Sequence, residues 1–165
     1  MNKEFGLEIN RPFYMVSKMW MSRVATLAGM DIKLQTLSRT NLAQQFFFDG
    51  ASKTIKNKQR SNLSLEIQNS GTGTNLRMST TTARWFQLFY YRNDNLVNEK
   101  GAVISIRDKT DSERQNIEVS KKNNGLHQQW DIIYVDEMPA EPKKGELNKR
   151  FNMHIDRPFF VVSGL

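Results

Sequence analysis

The sequence predicts an all-β domain of about twelve short antiparallel strands, and three observations carry that expectation. Short runs of alternating apolar residues succeed one another, each bounded by Gly, Asn or Asp. A glutamine-x-aromatic step occurs three times at nearly even spacing. No segment carries the stripe of apolar residues, repeating every 3.6 residues, that marks an amphipathic helix.

The steps come first. "LAQQFFF" (42–48) places Gln44 two residues before Phe46, "RWFQLFYY" (84–91) places Gln87 two before Phe89, and "HQQWDII" (127–133) places Gln128 two before Trp130. The glutamines are 43 and 41 residues apart, so a unit of about 40 residues occurs three times. Upstream of each step lies an alternating run: "VATL" (24–27), "LSLEI" (63–67) and "VISI" (103–106). A second run follows each: "IKLQTL" (32–37), "NLRMS" (75–79) and "NIEVS" (116–120). Period-2 alternation with β-branched residues identifies half-buried strands. After the first step, "FFFDGASKTIKN" continues into a hairpin in which Asp49-Gly50 is a turn dipeptide.

Three four-stranded units marked in this way resemble the β-trefoil of the ricin-type lectin family. The resemblance covers most of the chain and implies pseudo-threefold symmetry. It implies that Phe46, Phe89 and Trp130 pack in a shared core near the axis, with Gln44, Gln87 and Gln128 supporting the adjacent turns. Family members hold a sugar with a carboxylate in the first run, an aromatic platform about ten residues before the glutamine, and an amide just before it. Carboxylate and amide bond to hydroxyls, and the ring covers the apolar face of the sugar. At the carboxylate position stand Thr26, Glu66 and Ser105; at the platform position, Leu34, Arg77 and Glu118; before the glutamine, Ala43, Phe86 and His127. No unit keeps the full set. The middle unit keeps the acid, so Glu66 with Arg77, Gln68 and Asn69 is the candidate polar site; a surface ion pair or solvated side chains is the alternative reading. His127 is either a ligand contact or a turn histidine bonded to the backbone.

A second repeat works on a longer scale. "NKEFGLEINRPFYMVS" (2–17) matches "NKRFNMHIDRPFFVVS" (148–163) at a constant offset of 146 residues. We read it as one unit of a tandem array with the opening of the next; the alternative is chance or a pseudo-symmetric pair of strands within one domain. The first reading divides the chain into a lead-in strand (1–12), the trefoil (13–137, with subunits at about 13–59, 60–101 and 102–137), a linker (138–150) and the start of a following repeat (151–165). "RPFYMVS" and "RPFFVVS", placed where each unit begins, are then expected to pair with the preceding unit and set the angle between trefoils.

Composition narrows the function. With no cysteine, thiol catalysis, disulfides and thiolate zinc sites are excluded, and the two histidines, His127 and His154, have no Asp or Glu at ligand spacing. No cofactor is expected. "NSGTGTN" (69–75) lacks the Lys-Ser/Thr ending of a phosphate loop, and "DKTDSER" (108–114) lacks the glycine and terminal glutamate of a calcium loop. The net charge of +7 is scattered: "KTIKNKQR" (53–60) reads as a solvated turn, and the aromatics beside Arg84 and Arg92 as core, so nucleic acid is not the expected partner. Absence of an apolar span or leader in the residues given, together with zero Cys, points to the cytoplasm and to no membrane insertion. The expectation is a non-enzymatic interaction module of a tandem-repeat protein, serving as a structural or protein-binding scaffold whose partners are neighbouring trefoil units and other proteins. The alternative is a carbohydrate-binding module with atypical, partly degenerate sugar sites.

Overall fold

Strands in a computed structural model of the chain form where the alternation predicts them; the structure describes residues 3–67, 75–107 and 115–138. A two-stranded lead-in, β1 (Lys3–Glu4) and β2 (Leu7–Glu8), precedes β3 (Phe13–Ser17), β4 (Arg23–Ala28), β5 (Asp31–Thr36) and β6 (Phe46–Asp49). Then come β7 (Thr54–Asn57), β8 (Leu63–Ile67), β9 (Leu76–Thr80) and β10 (Phe89–Arg92), followed by β11 (Asn95–Asn98), β12 (Val103–Ile106), β13 (Ile117–Ser120) and β14 (Trp130–Tyr134). β3 to β14 are therefore three sets of four. Only one-turn 3-10 helices interrupt them among the described residues: η1 (Leu42–Gln44), η2 (Trp85–Gln87), η3 (Leu126–Gln128) and η4 (Val135–Glu137).

Pairing runs β3, β4, β5, β9, β8, β7, β6 and returns to β3 where Phe13 faces Phe46, so seven strands close on themselves. β14 adds to the far side of β3, and β10 to β13 form a second sheet. Closure removes the exposed strand edges that would otherwise invite pairing between molecules. Counted from β4, the first two units are β4 to β7 and β8 to β11. The third, β12 to β14, is completed by β3 from the other end of the chain, Trp130 facing Ser17 and Tyr134 facing Phe13.

That pairing corrects the expectation for "RPFYMVS"; "RPFFVVS" lies outside the described residues. All five residues of β3 are buried, and Phe13 is wholly inaccessible inside its own unit, so this segment is part of the unit's core and not a contact toward a preceding one. The lead-in is also a hairpin rather than a single strand. Phe5 and Gly6 adopt positive φ between Glu4 and Leu7, as a two-residue type I′ turn requires, and a Cβ on Gly6 would stand 2.1 Å from the Tyr91 carbonyl oxygen. Ile9 bridges to Phe48, and Arg11 bonds Glu8 and Asp136 while its guanidinium lies 4.3 Å from the Tyr134 ring centre. The two ends of the trefoil are thereby tied together.

Asp49-Gly50 forms no two-residue turn. The connection has four residues, its left-handed position is Lys53 (φ 64°), and the Asp49 carboxylate accepts from the Ser52 hydroxyl at 2.7 Å and the Ser52 amide at 3.1 Å. Those hydrogen bonds, with Lys56 at 3.6 Å, hold the Asp49 carboxyl below its ordinary value. A depressed carboxylate contributes stability above the unfolded value of about 3.9 and loses it as pH falls from there through the folded value. Asp49→Asn is thus expected to melt below wild type at neutral pH. The gap between the two melting temperatures should close as pH is lowered through that window.

Candidate functional site

The three glutamines end three of the four 3-10 turns, η1, η2 and η3, and each does the same work. Gln44 Nε2 donates to the Thr36 carbonyl (2.9 Å) and Oε1 accepts from Ser38 N (2.7 Å). Gln87 donates to the Thr80 carbonyl (2.8 Å) and accepts from Thr82 N (2.8 Å) and Ala83 N (3.0 Å). Gln128 donates to the Lys121 carbonyl (2.6 Å) and accepts from Asn123 N (2.8 Å). An amide is the right group because a buried side chain of this kind satisfies a backbone donor and a backbone acceptor of the turn at once. Two residues on, Phe46, Phe89 and Trp130 open their strands with relative exposures of 0, 1 and 0%.

A further marker escaped the sequence reading. Asn57, facing Phe46, donates to the Ala43 carbonyl (2.9 Å), and Asn98, facing Phe89, donates to the Trp85 carbonyl (2.9 Å). Both side chains also accept from the amide two residues later, capping the next turn. The signal was available as an asparagine ending the strand after each of the first two steps. Ser17 holds this place opposite Trp130 and accepts from Met19 N and Trp20 N.

Register fixes the counterparts of the sugar-holding set. Thr26 faces Lys33, Glu66 faces Arg77 and Ser105 faces Glu118. The platform position of the first unit is therefore Lys33. Leu34 is a fully buried core residue, misaligned because one extra residue separates Gln44 from its carbonyl partner Thr36. The same three residues each meet a neighbouring unit: Lys33 bridges to Asn116, Arg77 pairs with Asp31, and Glu118 bridges to Asn75. Lys33 Nζ lies 3.0 Å from Asn116 Oδ1, and Arg107 Nε donates to Glu118 at 3.1 Å. These positions form a polar seam between hairpins, with a charged side chain and no aromatic ring at each.

Glu66 and Arg77 are cross-strand neighbours, but Glu66 Oε1 accepts from Gln87 Nε2 at 2.9 Å, and the buried Nε of Arg77 has no hydrogen-bond partner among the described residues. In the first unit the corresponding bond is Gln44 to the Thr26 hydroxyl, 3.2 Å. The middle-unit acid thus occupies a place where a hydroxyl serves elsewhere. Gln68 and Asn69 lie outside the described residues. His127 belongs to the third unit, on η3, apart from this group; it is buried, and Gly125 leaves room for its ring, since a Cβ there would stand 2.6 Å from Nδ1. Among the described residues no three His, Asp or Glu side chains gather where they would hold a metal ion, and no helix is long and apolar enough to cross a membrane.

Against known structures, the earthworm R-type lectin C-half, solved with GalNAc, matches with a TM-score of 0.62 at 15% identity, over 75% of this chain and 98% of that one. The fold is the ricin-type β-trefoil. The ricin B-like lectin of Macrolepiota procera, solved with lactose, gives a TM-score of 0.65 at 15% identity, over 78% of this trefoil chain and 98% of the lectin. ThreeFoil, a designed threefold-symmetric protein, gives 0.64 at 15% identity, over 74% and 97%. No family model and no curated protein matches the sequence.

Proposed function

We propose that this trefoil is a non-catalytic interaction module, one unit of a tandem array, that engages protein surfaces and not a simple galactoside. The observation that carries the reading is the register: Thr26–Lys33, Glu66–Arg77 and Ser105–Glu118 stand where a lectin of this fold would present carboxylate and aromatic platform. The residues before the glutamines, Ala43, Phe86 and His127, supply no amide. The array is supported by the match of 2–17 with 148–163 at an offset of 146 residues. Protein binding is supported by the apolar residue that opens each of η1, η2 and η3: Leu42 is 48% exposed, Leu126 is 52% exposed, and Trp85 lies partly buried in the middle unit.

A glycan reading is favoured by one observation, the carboxylate of Glu66 held on Gln87, together with lectin neighbours crystallised with GalNAc and lactose. An NMR titration with galactose, GalNAc and lactose separates the two. The protein-binding reading expects no shift of the Glu66, Arg77 and Gln87 amides at millimolar sugar. Shifts confined to these residues and abolished by Glu66→Ala would replace it with a middle-unit sugar site.

A further inference from the structure

The sequence holds one Asn-Gly pair, Asn124-Gly125, and the structure places it in the turn that leads into η3. Asn124 is exposed and left-handed (φ 65°), and its carboxamide makes no hydrogen bond among the described residues. We propose that this pair is a self-modification site: Asn124 converts without an enzyme to aspartate and isoaspartate, and the isoaspartate form loosens the turn of the third unit. The inference does not depend on what the module binds.

The local geometry calls for these two residue types. The residue before the N-cap is left-handed in the middle unit as well, where Ala83 (φ 59°) precedes Arg84. Asparagine is one of the few L-residues that visit this region readily. At position 125 the His127 ring occupies the space of a side chain, since a Cβ there would stand 2.5 Å from Cε1 and 2.6 Å from Nδ1. Glycine is the residue that permits so close an approach. The middle unit makes its turn with Ala83-Arg84, which carries no carboxamide to react.

The reaction consumes only water. The Gly125 amide nitrogen attacks Asn124 Cγ, the Cγ–Nδ2 bond breaks, and the amide proton leaves with that nitrogen as ammonia. The five-membered imide then takes up one water. Opening at Cγ restores the ordinary main chain with aspartate at 124. Opening at the main-chain carbonyl carbon leaves the chain running through Cβ and Cγ, as isoaspartate. Glycine at 125 favours the ring because no side chain crowds the attacking nitrogen. One contact opposes attack: Gly125 N donates to Asn123 Oδ1 at 2.9 Å, an exposed bond that holds the proton on the nucleophile. Asp49-Gly50 does not share this reactivity, because its carboxylate accepts from the Ser52 hydroxyl and amide and, ionised, offers no leaving group.

Residue 124 lies between two backbone groups that bind Gln128. Asn123 N donates to Gln128 Oε1 at 2.8 Å, and the Gly125 carbonyl accepts from Gln128 N at 3.0 Å. Isoaspartate adds a carbon to the main chain between those groups, so the two bonds no longer close on the same length of backbone. Aspartate adds nothing to the path. Trp130 is anchored separately, through Nε1 to the Ile104 carbonyl, so the core stays closed while the turn opens.

The test warms the full chain at neutral pH, below its melting midpoint and separately in urea, and follows the tryptic fragment 123–143 by mass spectrometry with fragmentation that distinguishes isoaspartate from aspartate. Folded wild type is expected to show the mass gain of a carboxamide turned carboxyl at residue 124, with both products present. Asn123→Ala should react several-fold faster than wild type when folded and at the same rate in urea. Asn124→Gly should stay unmodified. The Asn123 and Gln128 amides should exchange with solvent several-fold faster in aged wild type than in Asn124→Asp, which carries the same charge on an unlengthened chain. Should Asn123→Ala fail to fold, the fate of residue 124 in folded wild type and the exchange comparison still decide the matter. The proposal is overturned if folded wild type stays intact at 124 while the urea-unfolded chain converts, if folded Asn123→Ala reacts no faster than wild type, or if aged wild type and Asn124→Asp exchange alike.

Discussion

Trp130→Ala is expected to remove a large part of the domain's stability. The indole is wholly buried at the start of β14, faces Ser17 of β3, and donates from Nε1 to the Ile104 carbonyl at 3.0 Å. Its own carbonyl accepts from the Tyr91 hydroxyl at 2.8 Å, and burial, with Asp94 nearby, pushes that phenol up to about 12. Truncating a buried tryptophan to alanine costs about 3–5 kcal/mol, against a total of about 5–15 kcal/mol for a domain of ordinary stability. Urea unfolding should show a large fall in midpoint or no folded baseline. Trp130→Phe separates the two contributions, because Phe46 and Phe89 already show that a phenyl ring suits this place in the other units. It keeps much of the volume and leaves the Ile104 carbonyl without its donor, so about 1–3 kcal/mol is expected. A cost below about 1 kcal/mol for the alanine variant would contradict the placement of Trp130 at the core.

The threefold fold was legible because its markers are local. A glutamine that binds both sides of a turn, followed two residues later by a buried ring, uses the same two residue types wherever the turn recurs, and spacing then exposes the symmetry. The inter-unit seam was less legible. Lys33 and Arg77 are cations and Glu118 is an anion, so no one residue type marks the place; what the three positions have in common is a backbone pairing to a neighbouring hairpin, which constrains the side chain weakly. The single-residue difference between units that hides Lys33 behind Leu34 lies in the turn before η1, where length is cheap to vary. The role of "RPFYMVS" was misread for a related reason. A strand that closes a barrel and a strand that docks on a neighbour are both apolar on both faces, and only the pairing of Phe13 with Tyr134 and Phe46 distinguishes them. The sugar set was the opposite case: a missing amide and a missing aromatic can be read directly from sequence, though the bond between Glu66 and Gln87 cannot.

Gln87→Leu should be the most costly of the three glutamine replacements. The side chain is fully buried and makes four hydrogen bonds: it donates to Glu66 Oε1 and the Thr80 carbonyl, and accepts from the amides of Thr82 and Ala83. Leucine matches its volume, so the loss isolates polar satisfaction from packing. Each buried polar group left unpaired costs about 1–3 kcal/mol; because the turn is partly open to water, a total of about 3 kcal/mol is expected. Ala83 adds to this. It is a non-glycine residue at φ 59°, a conformation that disfavours an L-residue by roughly 1–2 kcal/mol, and the Gln87 oxygen is what binds its amide. Without that acceptor the turn should relax, and hydrogen exchange at Thr82 and Ala83 should accelerate. Gln44→Leu, which strands fewer groups and touches no left-handed residue, should cost less. The double variant Gln87→Leu, Ala83→Gly should recover part of the loss, since glycine adopts the left-handed conformation without the steric cost of a Cβ. Were Gln87→Leu and Gln44→Leu to lower the denaturation midpoint equally, with no rescue by glycine, the strained turn would play no part in the middle unit's stability. The glutamine would then matter only through the bonds common to all three copies.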